Sequence, residues 1–217
     1  NTTPSIKNAN IRNQKMNPDA SVVVAPSDHL IVKEEEFLRS VNQGLEFVSE
    51  NDALLTMGIV PGRPETGYGY IQSLQKKVKG YESIGLRKVK TFTEKPDLEL
   101  ARVFLESGDF YWNAGIFFWS LRSIMNSFEV FLPEIHNLFR EGVEVYETDG
   151  EGAFIQETYG NCRNISIDYG VMEKADNVYV LISDFGWSDL GTWGSLYEQL
   201  PKDDRDNSVN GKHVFLY

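Results

Sequence analysis

The feature that most constrains this chain is an alternation. Short apolar runs rich in β-branched residues are separated by longer stretches whose apolar residues recur at helical spacing. Ser21 to Ala25, Ala53 to Ile59 and Val178 to Ile182 are too short for helices and too apolar for exposed strands, so they read as buried strands. Between the first two, Phe37, Val41, Leu45 and Val48 share one helical face behind an acidic first turn, Glu34-Glu35-Glu36, which suits the positive end of a helix dipole. Buried strands joined by amphipathic helices imply an α/β fold in which parallel strands are linked by crossover helices.

The punctuation of the chain sharpens this reading. A helix opening around Pro4 is expected to end near Asn17-Pro18, and Asn51 stops the helix that follows Glu36. Asp97 caps a helix ending near Gly108, Ser120 caps one carrying Leu121, Ile124 and Phe128, and Pro133 opens another. Ser166 is expected to cap a helix through Lys174, and Thr192 one reaching Leu200. Gly67 to Phe92, rich in Tyr, Gly and Lys, predicts an antiparallel excursion from the parallel core, and residues 141–160 read as a loop. Asp203 to Asn207 reads as a polar linker before a strand near His213.

Composition narrows the function classes. With 217 residues, 41% apolar and 24% charged, the chain suits one large water-soluble domain. Its 21 basic and 32 acidic side chains give a formal charge of −11, which disfavours a nucleic-acid partner, so an anionic ligand needs local basic help or a metal. Cys162 is the single cysteine, so no internal disulfide forms and a reducing, cytoplasmic setting is expected. No apolar stretch approaches the roughly 20 residues of a membrane-spanning helix, so no membrane partner is expected.

Four polar constellations sit at or beyond strand ends, where open α/β sheets place ligands. In Pro26-Ser27-Asp28-His29, Asp28 reads either as a magnesium ligand or as a turn cap, and His29 as structural. Pro64-Glu65-Thr66-Gly67-Tyr68-Gly69-Tyr70 reads either as a surface closing on a sugar ring or as an ordinary glycine-rich turn. Glu94-Lys95-Pro96 could bind a hydroxyl and a phosphate of one ligand, or form a surface ion pair. Trp187-Ser188-Asp189-Leu190-Gly191-Thr192 offers Asp189 as the partner of Asp28, with Asp168 and Asp184 as competing carboxylates. In the related Trp112-Asn113-Ala114-Gly115, Asn113 is either a ligand contact or a buried structural amide. The chain has no G-x-x-x-x-G-K-[ST], G-x-G-x-x-G, H-E-x-x-H, G-x-S-x-G or paired C-x-x-C motif.

Taken in order, VAPSDHLI (24–31), PETGYGYI (64–71), FTEKP (92–96), WNAGIF (112–117), SIDYGVMEK (166–174) and WSDLGTW (187–193) resemble the mannose-1-phosphate guanylyltransferase (GDP-mannose pyrophosphorylase) family of sugar-nucleotide nucleotidyltransferases. The resemblance implies a Rossmann-like α/β fold, a mixed, mostly parallel sheet flanked by helices. It implies transfer of GMP from GTP to mannose 1-phosphate, giving GDP-mannose and pyrophosphate, with Mg2+ held by Asp28 and Asp189. It further implies that Lys95 neutralises the sugar phosphate, that Gly67, Tyr68, Glu94, Asn113 and Gly115 bind the sugar, and that Asn1, Thr2, Ser27 and Asp28 lie toward the nucleotide. A homo-oligomer is compatible with it. The family's first strand and Gly-rich loop have no counterpart in the sequence. The expectation is therefore an N-terminally incomplete transferase domain over 1–202, with 203–217 as linker and start of a C-terminal β region, that binds sugar phosphate poorly and does not turn over alone. Alternatives are a nucleotidyltransferase for another base or hexose, a non-catalytic sugar-phosphate binding protein of the same fold, and a plain carbohydrate-binding module using Tyr68, Tyr70, Trp112 and Trp187.

Overall fold

A computed structural model describes residues 2–191 and 193–208 of the chain. Asn1, the cap residue Thr192 and the strand expected near His213 lie outside the described residues. In order, the elements are α1 (Thr2–Met16), β1 (Ser21–Val24), β2 (Leu30–Ile31), α2 (Glu34–Glu50), β3 (Leu54–Ile59), β4 (Tyr70–Lys77), β5 (Leu86–Thr93) and α3 (Leu98–Ser107). They are followed by β6 (Phe110–Ser120), α4 (Leu121–Phe131), α5 (Pro133–Arg140), α6 (Glu151–Asn161), β7 (Val178–Ile182), β8 (Trp187–Ser188) and α7 (Trp193–Gln199).

Local chemistry accounts for most boundaries. The Asp97 carboxylate accepts from the Leu100 N–H and Gly108 ends α3 in the left-handed conformation (φ 73°), while Ser120 accepts from the Ser123 N–H to start α4. Two expectations are corrected. Residues 141–160, read as a loop, hold most of α6, which has almost no apolar face and is held by an Arg12–Glu151 ion pair and by Phe154 packed edge-on to Tyr146. Ser166 to Lys174 is not an ordinary helix: Asp168–Met172 form a turn of π-helix, with the Glu173 N–H reaching back to the Asp168 carbonyl at 2.9 Å.

The architecture is α/β, a mixed sheet flanked by helices, with six strands in the order β1-β6-β3-β7-β5-β4. The parallel expectation holds for strand direction but not for pairing. β1 and β3, joined through α2, both run opposite to β6, so they point the same way, and β7 pairs parallel with β3. The long β6 inserts between β1 and β3, leaving β3–β7 as the parallel pairing among the described residues of this sheet. β4 and β5 form the expected antiparallel excursion, and β4 returns to pair with the start of β6 at Phe110–Trp112.

Alternation along the strands divides the core. Phe117 and Trp119 of β6 pack with Ile6 and Ile11 of α1 and with Ile124 and Phe128 of α4, whereas Ile116 and Phe118 pack with Leu55, Met57 and α2's Phe47 and Val48. Lys7 of α1 is also buried on the first side, an exception to the apolar pattern. Among the described residues no helix is long and apolar enough to cross a membrane.

Candidate active site

The site begins with a break in β6. Thr56 of β3 faces Phe117, but Gly58 faces Asn113, so Met57 stands opposite three residues of β6, Ala114 to Ile116. A bulge of this kind re-aims side chains, and Gly115 supplies the left-handed backbone it requires (φ 68°). Its N–H donates to Asn113 Oδ1 at 3.2 Å, and the Thr56 hydroxyl donates to the same oxygen at 2.9 Å. Because an N–H can only donate, the Asn113 amide has one orientation, with Nδ2 donating to Asp168 Oδ1 at 2.9 Å. Asn113 is thus tied into the structure as an amide, and it also lines a cleft.

That cleft has a volume of about 350 Å³ and gathers residues from Thr2 to Asp189, including Gly67, Tyr68, Glu94, Lys95, Asn113, Gly115, Asp168 and Trp187. Tyr68 stands between Trp112 and Trp187 in edge-to-face contacts of 5.2 and 5.1 Å, forming an apolar wall. Behind it, Glu65 Oε1 accepts from the Thr66 and Gly67 N–H groups, so Gly67 shapes the turn and its amide is already engaged. A Cβ at Gly69 would meet Glu94 Oε2, so a larger residue there would push the Glu94 carboxylate out of its present place.

Glu94 and Lys95 follow β5 as an ion pair, Lys95 Nζ lying 3.2 Å from Glu94 Oε1 with the lysine side chain 63% exposed and the glutamate 14%. Lys95 adopts φ 47°, a left-handed backbone that costs a non-glycine residue on the order of 1 kcal/mol. Leu190, beside Asp189, is left-handed as well (φ 52°). Strained backbone therefore flanks two of the predicted functional side chains.

The small β2–β8 ladder, in which Leu30 pairs with Ser188 and Ile31 with Trp187 in antiparallel register, sets the segment after Ala25 that carries Asp28 beside the segment that carries Asp189. Both carboxylates act on His29, partly offsetting the burial that pushes its pKa down. His29 Nδ1 accepts from the Trp187 indole at 3.1 Å, and His29 also lines the cleft. Asp189 Oδ1 accepts from the Tyr68 hydroxyl at 2.7 Å and the Gly191 N–H at 3.0 Å. Oδ2 carries no hydrogen bond among the described residues. Asp28 is exposed and lies outside the residues lining the cleft, as does Ser27. Of the competing carboxylates, Asp184 is tied to Lys33 at 2.8 Å on the outer surface, while Asp168 belongs to the cleft itself.

Asp168 is the residue whose weight the sequence understated. Burial pushes its carboxyl up to about 6, with Glu94 adding to the shift and Asn113 and Lys95 opposing it. The same surroundings raise Glu173, again chiefly through burial. An asparagine interrupting an aromatic strand signals that a polar partner must exist, but the strand alone does not say which; Asn113 is half-buried.

An open cleft at the strand ends, with an aromatic wall, carboxylates, an amide and one exposed lysine, defines a class, an α/β protein with a polar ligand cleft. The particular family follows from comparison: the Nucleotidyl transferase family model matches residues 1–206, and the chain belongs to that family. It is 36% identical to a mannose-1-phosphate guanylyltransferase of Salmonella montevideo over 97% of this chain and 44% of that protein. It is 34% identical to one from Escherichia coli over 99% of this chain and 46% of that protein. A solved structure of mannose-1-phosphate geranyltransferase from Thermus thermophilus superposes with a TM-score of 0.77 at 29% identity, over 90% of this chain and 53% of that one. The chain spans about half the length of the curated relatives it matches.

Proposed function

We propose that this protein transfers a GMP unit from GTP to mannose 1-phosphate, releasing pyrophosphate and forming GDP-mannose. The observation that carries the reading is the convergence of Glu94, Lys95 and Asn113 on one aromatic-walled cleft, an arrangement suited to a sugar and its phosphate. Glu94 and Asn113 bind ring hydroxyls, and Lys95 reaches the phosphate from its exposed position, orienting the phosphate oxygen for in-line attack on the α-phosphorus of the nucleotide. The bond from that oxygen to the α-phosphorus forms as the bond to pyrophosphate breaks. No general base is required, since a sugar phosphate is already anionic near neutral pH.

Asp28 and Asp189 fit a magnesium ion by their chemistry: both offer hard carboxylate oxygens, and the Tyr68 and Gly191 contacts to Oδ1 leave Asp189 Oδ2 without a hydrogen bond among the described residues. When bound, the ion supplies charge neutralisation for the phosphates.

Lys95 is the one lysine or arginine among the described residues lining the cleft, too little for a triphosphate. The transfer itself is tested by pyrophosphate release from GTP and mannose 1-phosphate; the 217 residues alone are expected to bind sugar phosphate poorly and not to turn over, and robust release by them would refute that expectation. The family reading is tested by NMR titration of sugar 1-phosphates into the chain. Mannose 1-phosphate should bind at the cleft, and Lys95→Ala should weaken it about 10- to 100-fold, the usual effect of losing a charge-assisted hydrogen bond. Equal binding of unphosphorylated mannose by both proteins would support the carbohydrate-binding alternative instead.

A further inference from the structure

The Asp168–Asn113 pair is built more carefully than a structural hydrogen bond requires. Asn113 is locked from behind by Thr56 and Gly115, so its second Nδ2 hydrogen has no described partner after Asp168 takes the first. Asp168 in turn sits on the π-helical turn, whose neighbours Ile167, Val171 and Met172 are buried in the core and fix its position. Such turns recur at functional sites. Oδ1 of Asp168 accepts from Asn113 and the residue's own backbone N–H also donates to the carboxylate, while Oδ2 accepts no side-chain hydrogen bond among the described residues. Two hydrogen-bonded residues that both line the cleft thus each keep polar capacity, an N–H on Asn113 and a carboxylate oxygen on Asp168. A hydroxyl group, which accepts and donates at once, is the ligand group that satisfies both.

We propose that Asp168 is a specificity-determining residue that, together with Asn113, reads one ring hydroxyl of the sugar 1-phosphate. The proposal rests on the reading of the cleft as a sugar 1-phosphate site. The charged groups facing Asp168 are Glu94 and Lys95 from the end of β5 and Glu173 from the same turn, with the Tyr169 hydroxyl nearby. Asp189 lines the same cleft, so the test is run without magnesium to read the Asp168 contact by itself. The placement of Asp168 also works against the fold. A carboxyl that prefers to be neutral when buried disfavours the folded state once it ionises, which is a reason for a ligand-directed role and not a structural one.

The test is NMR titration of the chain, without magnesium, using mannose 1-phosphate and its monodeoxy analogues, for the wild type and Asp168→Asn. Removing the charge should weaken mannose 1-phosphate about 10- to 100-fold. One monodeoxy analogue should show a loss of similar size on the wild type and little further loss on Asp168→Asn, because both changes delete the same contact. Thermal unfolding supplies a second readout. Asp168→Asn should melt higher than the wild type at pH 7, with the gap closing as pH falls toward about 4, whereas a residue kept for structure would melt lower when replaced. Wild-type binding that Asp168→Asn leaves unchanged, or losses that add across every analogue, would overturn the role of Asp168 alone. Failure of the wild type to bind any sugar 1-phosphate would overturn this role and the family reading of the site together. If the variant does not fold, the analogue series on the wild type still decides: no selective loss among the monodeoxy sugars overturns the proposal.

Discussion

At the scale of single residues, Tyr68 changes meaning once its surroundings are known. Its sequence suggested a face for a sugar ring, but its ring is boxed between two tryptophans and its hydroxyl donates to Asp189. Burial and that bond push its pKa well above the usual tyrosine value, so it remains a donor throughout the working range. Tyr68 thereby positions a carboxylate through Oδ1. Tyr68→Phe keeps the aromatic wall and deletes the donor, and losing a group that orients a metal ligand commonly weakens metal binding by about 10-fold or more. Mn2+ titration followed by EPR, with mannose 1-phosphate present, checks this; unchanged affinity would separate Tyr68 from any metal at Asp189.

Among elements, α1 carries an unusual load. Lys7 is 1% exposed, its ammonium over the Phe128 ring at 5.0 Å, 3.2 Å from Met125 Sδ and 3.3 Å from His136 Nδ1. Burial pulls its pKa down to about 8, Glu129 opposing weakly, and the His136 pKa falls with burial and with this neighbour. The unfolded chain holds the lysine proton more tightly than the folded one, so the penalty is full below about pH 8 and is relieved as pH rises toward 10.5. Lys7→Met should therefore raise stability near neutrality by about 1–3 kcal/mol, and the wild type should close that gap at alkaline pH. Urea unfolding at pH 7 and pH 10 measures both; a destabilised variant at pH 7 would show that the ring contact and the His136 hydrogen bond outweigh the desolvation.

For the whole molecule, stability should be centred on the strands shared by both halves of the core. β3 is buried along almost its full length and pairs on both sides, with β6 and β7. β1, by contrast, stands at the end of the described sheet, with Val23 39% exposed. Native-state hydrogen exchange should find the slowest amides in Leu54–Met57, Phe117–Trp119 and Val180–Leu181, and faster exchange in β1. Protection of β1 equal to that of β3 would mean that its free edge is covered in solution, as by a second copy of the chain.

The amino-acid sequence by itself determined the α/β class, most helix ends and the six stretches around the site, because helical period, capping and turn chemistry act over a few neighbouring residues. Asp97, Ser120 and Gly108 carry their roles in their own side chains or lack of one. It did not determine the pairing of β6 between β1 and β3, nor α6, whose helicity depends on α1 and Tyr146 and not on an apolar stripe of its own. The bonds that define the cleft belong to the same second group. Asn113 meets Asp168 across 55 positions and Tyr68 meets Asp189 across 121, and only the folded chain brings those partners within hydrogen-bond reach. Residue types limited what the cleft could bind; the bulge in β6 and the register of β2 with β8 decided which of them face one another.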